Sequence, residues 1–148
     1  MDKSEKAKEL FKQGYNCAQA VVGAYAEELG LDMETAMKLA SSFGGGMGRL
    51  REVCGAVSGM FMVAGLLYGY SSPEAKLEKT ELYKKIQELA GEFSENNGSI
   101  VCRELLGLET KKDSPQPEER TEKYYKARPC VDLVGDAAGI LEEYIKQN

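Results

Sequence analysis

Residues 53–70, VCGAVSGMFMVAGLLYGY, run for 18 positions without a charge. That length is the lower limit for a helix crossing a bilayer. The stretch nevertheless holds Cys54, Ser58, four glycines and two tyrosines, a composition that fits a helix buried on all sides at the centre of a bundle rather than a membrane span. Gly55 and Gly59, like Gly65 and Gly69, recur at i, i+4, the spacing that lets neighbouring backbones approach closely. A buried central helix needs other helices around it, so the segments on either side decide the class.

Upstream, an amphipathic helix is expected over Lys3–Lys12, stopped at Gly14. Asn16 is a good N-cap for the next, in which Ala18, Val21, Val22, Tyr25 and Leu29 keep the helical period before Gly30. Asp32 caps a shorter one lined by Met33, Ala36, Met37 and Ala40. Downstream, Ser72 and Pro73 mark a start, and Leu82, Ile86, Leu89 and Phe93 point one face inward as far as Asn96, with Glu81 and Lys85 paired outside. A short helix over Ser99–Leu106, a polar linker over Thr110–Glu119, an extra turn within Glu118–Tyr125 and a last helix from Pro129 complete the chain. No convincing strand run and no stable internal repeat is found. The expectation is an all-α fold, a compact single-domain helical bundle over residues 1–148.

Composition agrees: Ala, Leu, Glu and Lys number 62 against 16 for Val, Ile and Thr, an imbalance that favours helix. A net charge of −5 is too acidic for a phosphate backbone to be the default partner, so no nucleic-acid binding is expected. The absence of histidine removes Ser/His/Asp and Cys/His catalysis and every His-ligated haem, zinc or Rieske-type centre. The opening MDKSEKAKEL has no apolar core of a signal peptide, and the protein reads as cytoplasmic, without stable membrane insertion. There, four cysteines are better read as reduced thiols, ligands or redox partners than as structural disulfides.

Those cysteines, Cys17, Cys54, Cys102 and Cys130, lie 37, 48 and 28 positions apart, with no CxxC among them. Their spacing is uninformative; their placement is not. Each falls at an expected helix start: after the Asn16 cap, at the head of the central helix, three after Ser99, and after Pro129. A helix N-terminus carries about half a positive charge and unpaired N–H groups, which favour thiolate over thiol. Inert core packing is the ordinary role of any one cysteine, but four of four at helix starts favours a shared chemical role. The GGGMG run at Gly44–Gly48, followed by Arg49 and Arg51, lacks the GK[ST] of a P-loop and reads as a tight packing turn, its arginines as surface charges. Glu52, Glu104 and Asp132 read as favourable charge near helix starts rather than as proton donors.

With GYNCAQA around Cys17, CGAVSG at Cys54–Gly59, VCRELLG at Cys102, RPCVDLV at Cys130 and the FGGGMG turn from Phe43 to Gly48, the chain resembles a family of small four-cysteine redox-active proteins. That family is defined by one cysteine, a CGAxxG motif and two further cysteines. The resemblance covers nearly the whole chain. It implies a redox or metal-linked role, with related domains beside electron-transfer modules and some members encoded near transporter genes.

The leading expectation is that Cys17, Cys54, Cys102 and Cys130 converge on an iron-sulfur cluster, most simply of the 2Fe–2S type, for electron transfer or redox sensing with a partner protein. The alternatives are a thiol/disulfide oxidoreductase using cysteine pairs and no cofactor, a structural zinc site with four thiolates, and a binding or adaptor protein suggested by Met47, Met60 and Met62. Each cysteine-centred reading cross-links distant parts of the chain, so stability should depend on oxidation state or metal content. The melting midpoint is expected to fall after treatment with a chelator or a reductant; an unchanged midpoint under both counts against all three.

Overall fold

The computed structural model describes residues 1–109 and 112–148 and is all-α. The helices are α1 (Lys3–Lys12), α2 (Cys17–Ala26), α3 (Met33–Ala40), α4 (Gly55–Tyr68), α5 (Lys76–Asn97), α6 (Cys102–Leu105), α7 (Glu122–Ala127) and α8 (Cys130–Gln147). A 3-10 turn at Ser41–Phe43 and a tight turn at Gly44–Met47 lie between α3 and α4. No described helix is long and apolar enough to cross a membrane.

Side-chain caps account for the first three starts. Asp2 accepts from the Glu5 N–H at 2.8 Å, and Asp32 from that of Thr35 at 3.0 Å. Asn16 and Gln19 form a reciprocal capping box at 2.9 and 3.0 Å, which fixes Cys17 as the first residue of α2. Gly14 and Gly98, at φ of +115° and +91°, stop α1 and α5.

Two helices share the interior. α4 is buried from Gly55 to Met60 and again at Val63 and Ala64, after which it emerges with Leu66 53% exposed. The second enclosed helix is α2, whose charge-free CAQAVVGAYA packs against α1, α3, α4 and α8. Its one buried hydroxyl, on Tyr25, donates to the Ala138 carbonyl of α8 at 2.8 Å. α4 crosses α2 closely because Gly59 has no side chain: a Cβ there would stand 2.9 Å from the Ala18 carbonyl oxygen.

The sequence reading needs correction at several edges. Ser72 and Pro73 do not open α5. They form a turn, closed by the Ala75 N–H donating to the Ser72 carbonyl at 3.2 Å, in which proline suits the second position, and the helix begins at Lys76. Lys85 does not pair with Glu81; it lies over the rings of Tyr68 and Tyr144, at 4.7 and 5.7 Å from their centroids, while Glu81 takes Lys84. Leu82 and Ile86 are only half-buried. The helix expected over Ser99–Leu106 shrinks to α6 because Val101 is drawn into an isolated antiparallel bridge with Val53. The extra turn after the linker is α7. Thr110 and Lys111 of the linker lie outside the described residues.

Paired glycine substitutions test the helix crossing. Gly59→Ala forces Cβ against backbone and should cost on the order of 1–3 kcal/mol, several degrees of melting temperature. Gly65→Ala, with open space around its Cβ, should instead gain about 0.5–1 kcal/mol from reduced chain entropy.

Candidate thiol site

The Val53–Val101 bridge is the local cause of the site. The Cys54 N–H donates to the Ile100 carbonyl at 2.8 Å, the Cys102 N–H to that of Glu52 at 2.6 Å, and the Arg103 N–H to that of Arg51 at 3.2 Å. Two short extended segments are thus clasped just before α4 and α6, and Cys54 and Cys102 are delivered side by side. α2 contributes Cys17 and α8 contributes Cys130, each as its first residue. All four cysteines line one cavity of about 290 Å³.

Two glycines explain how the thiols come so near the backbone. Gly55 follows Cys54, and a Cβ on it would meet the Cys17 Cβ and the Phe43 carbonyl, each at 3.0 Å. Gly46 sits against Cys102, where a Cβ would lie 2.6 Å from the cysteine's own Cβ and 2.8 Å from the Arg51 Cα. The glycine run therefore is a packing turn, as its sequence suggests, and a left-handed one. Residues 45–49 have φ of +69°, +70°, +69°, +64° and +67°, and Arg51 has +59°. Left-handed backbone costs about 1–2 kcal/mol at each residue that bears a side chain, here Met47, Arg49 and Arg51.

The arginines of that turn are not the surface charges the sequence suggests. Arg51 is 5% exposed, with its Nη1 3.6 Å from the Cys102 Sγ and its Nη2 donating to Asp113 at 3.0 Å. Arg49 lies 3.3 Å from the same carboxylate, and its Nε donates to the Ser114 carbonyl at 2.6 Å. The pairing holds Asp113 below its ordinary value, chiefly through the Arg51 hydrogen bond. Pro115, Pro117 and Glu118 then cross one wall of the cavity as a strap, and Arg128 pairs with Glu118 at 2.6 Å. Arg120 stacks 4.0 Å from the Phe11 ring centroid and donates to the carbonyls of Phe11 and Tyr15 at 2.8 and 3.0 Å.

Helix starts do not by themselves make these thiols acidic. Burial raises Cys54 to about 12, although the Ala56 and Val57 N–H groups at the head of α4 pull the other way. Burial also raises Cys102, and Arg51 offsets part of that rise. Cys17 and Cys130 line the same cavity, and the pair ionises in sequence. Cys17 is raised by its interaction with Cys130 and by burial, whereas Cys130 is lowered to about 7 by its interaction with Cys17, with Arg128, Tyr124 and Arg120 reinforcing it against burial. The first negative charge therefore settles on Cys130, where Arg128 and Arg120 favour it.

The four cysteines are free thiols, with no disulfide between them. Among the described residues no group of three or more Cys, Asp or Glu side chains closes tightly enough to hold a single metal ion. Glu52 pairs with Arg103 at 3.1 Å, Glu104 accepts from Ser99 at 2.8 Å, and Asp132 is exposed; none lines the cavity. Met60 is core, and Met47 and Met62 are half-buried. Sequence reading missed Asp113, Arg120, Tyr124 and Arg128. Only Arg128, two positions before Cys130, carried a signal.

The family model described as "Putative redox-active protein (C_GCAxxG_C_C)" matches residues 15–144. The chain belongs to this family. Its match spans all four cysteines, and Cys54-Gly55-Ala56-Val57-Ser58-Gly59 here departs from the GCAxxG of that description in the order of its first two residues, Cys-Gly in place of Gly-Cys. Gly59 coincides with the closing glycine of that signature, and Gly55, like it, lies where a Cβ would crowd α2. Neither the curated proteins nor the solved structures gave a match.

The ordering of the thiols is open to measurement. In the reduced, metal-free protein, carboxymethylation followed by mass spectrometry should modify Cys130 first, its rate rising through a midpoint near pH 7 as the thiolate forms. Cys54 should stay protected until far more alkaline pH, because its folded-state value is raised.

Proposed function

We propose that the cavity is a redox centre in which Cys17, Cys54, Cys102 and Cys130 hold a two-iron, two-sulfide cluster, and that the protein exchanges single electrons with a partner protein or reports redox state. The observation that carries this reading is the arrival of four thiols, from four helix starts, at one cavity with an excess of positive charge. Among the described residues, Arg49, Arg51, Arg120 and Arg128 line it, and the carboxylates paired with them are Asp113 and Glu118. Two positive charges are left over. A two-iron, two-sulfide core on four thiolates carries two negative charges when oxidised and three when reduced, so the surroundings neutralise the oxidised form.

The donor set fits such a group, since thiolate is the ordinary ligand of iron-sulfur clusters and no histidine competes. A lone zinc ion fits less well. It requires all its sulfurs in one shell near ~2.3 Å, and no described group closes that far. Burial, which raises Cys17, Cys54 and Cys102, holds them as thiols until a metal displaces the protons, which makes loading release protons and depend on pH.

A second reading is favoured by the lowered value of Cys130 beside Cys17 in the same cavity. A dithiol whose first proton is lost near neutrality is suited to thiol/disulfide exchange, in which one S–S bond forms between Cys17 and Cys130 while the S–S bond of a partner disulfide breaks and takes up the two electrons and two protons as two thiols.

Iron and acid-labile sulfide in protein produced and purified without oxygen separate the two. The cluster reading expects about two of each per chain with visible absorbance, and a Cys54→Ser variant that loses both. Protein free of iron and sulfide, whose thiol count falls by a pair on mild oxidation and recovers with reductant, establishes the exchange reading instead.

A further inference from the structure

We propose that Arg51 is a positioning residue of the redox centre, its Nε–H donating a hydrogen bond to a sulfur of the group that the four cysteines hold. The inference rests on the cluster reading above and deepens it by naming a non-ligating residue that sets the potential.

Three features of Arg51 converge. Its guanidinium is fixed at both ends, with Nη2 on Asp113 at 3.0 Å and Nη1 beside the Cys102 Sγ at 3.6 Å. Its Nε is buried and, among the described residues, has no acceptor. Its backbone is left-handed, φ +59°, in a residue that bears a long side chain. A buried donor without a partner loses its hydration for nothing, and left-handed backbone adds strain to that loss. Proteins retain such costs where a bound group repays them, and Arg51 lines the cavity beside the cysteines.

A purely structural role would not require this arrangement. Tethering the strap needs only a cation opposite Asp113, which a lysine supplies and which Arg49 already provides at 3.3 Å. The planar fork of arginine adds what lysine lacks: donors on three separate nitrogens, held at fixed angles to one another. With Nη1 and Nη2 each engaged, Nε is the nitrogen of the fork that, among the described residues, has no partner, and its N–H is the donor assigned to an anionic sulfur. Hydrogen bonds to sulfur and nearby positive charge both favour the more negative, reduced state, and so raise the potential.

The test compares wild type, Arg51→Lys and Arg51→Gln after anaerobic iron and sulfide loading. Three quantities are read: the midpoint potential by mediated titration, the rate of iron loss to a chelator, and the melting temperature of the iron-free protein. Arg51→Gln should shift the reduced-to-oxidised ratio about tenfold toward the oxidised form, equivalent to 59 mV lower for a one-electron couple, and lose iron severalfold faster. Arg51→Lys, which keeps the charge and the tether, should shift the same way by a smaller amount. A wild-type potential in Arg51→Lys overturns the directed hydrogen bond, even if Arg51→Gln falls, and it does so whether or not Arg51→Gln folds. Lower melting of the iron-free variants with unchanged potential and iron retention reduces Arg51 to a strap tether and also overturns it. Wild-type protein that takes up no iron and sulfide overturns this inference together with the cluster reading, and is thereby distinguished from failure of Arg51 alone.

Discussion

Three main-chain hydrogen bonds between residues 51–54 and 100–103 are the constraint on which the site depends. They close a loop of 48 positions between two cysteines, and they do so through backbone groups rather than side-chain packing. The relative position of Cys54 and Cys102 is therefore insensitive to which apolar residues flank them. It is sensitive to register, because a slip of one residue turns each extended segment over and presents Val53 or Val101 where a thiol belongs. A single bridge is the smallest β element possible, and among the described residues, whose regular structure is otherwise helical, it has no sheet to join. Its use is local: it ends one extended segment and starts a helix on each side of the same point.

Around that clasp, burial and charge act in opposition on the thiols. Removal from water wins at Cys54 and Cys102, despite the N–H groups of α4 and the Arg51 guanidinium. At Cys130 the balance reverses, because a second thiol, a tyrosine hydroxyl and two arginines all favour its anion. The cavity is thus graded, with a neutral floor at Cys54 and an ionisable edge at Cys130. Such grading arises from the neighbours each helix start brings along, not from the helix start itself, which is common to all four.

The helices were legible because each is written locally. Asn16 with Gln19, and Asp32 with the Thr35 N–H, are caps within three residues of their targets, and the first of them places Cys17 at the start of α2, whereas Cys54, Cys102 and Cys130 open helices that have no side-chain cap. What was not legible is nonlocal. Nothing near Arg51 announces that Asp113, 62 positions away, will meet it; a hydrophilic arginine after a glycine run reads as solvated until the strap is known to cover it. Lys85 departs from its local pattern for a related reason: Glu81 is its neighbour along the helix, but its charge lies over two tyrosine rings brought by other helices. The short bridge escaped because one residue pair leaves no alternating pattern to detect.

The order in which the thiols occur along the chain bears on how the centre can be made. Cys17, Cys54 and Cys102 precede a strap and α7, and Cys130 arrives only as α8 begins. α8 in turn packs on α1 and α2, so the fourth wall of the cavity is built from helices at opposite ends of the described fold. During synthesis the first three thiols leave the ribosome with no completed pocket to protect them and no fourth partner to share a ligand. Any group that needs all four must therefore be completed after α8 has been made, and the head of that helix, with Cys130, is the last piece of the cavity wall to arrive.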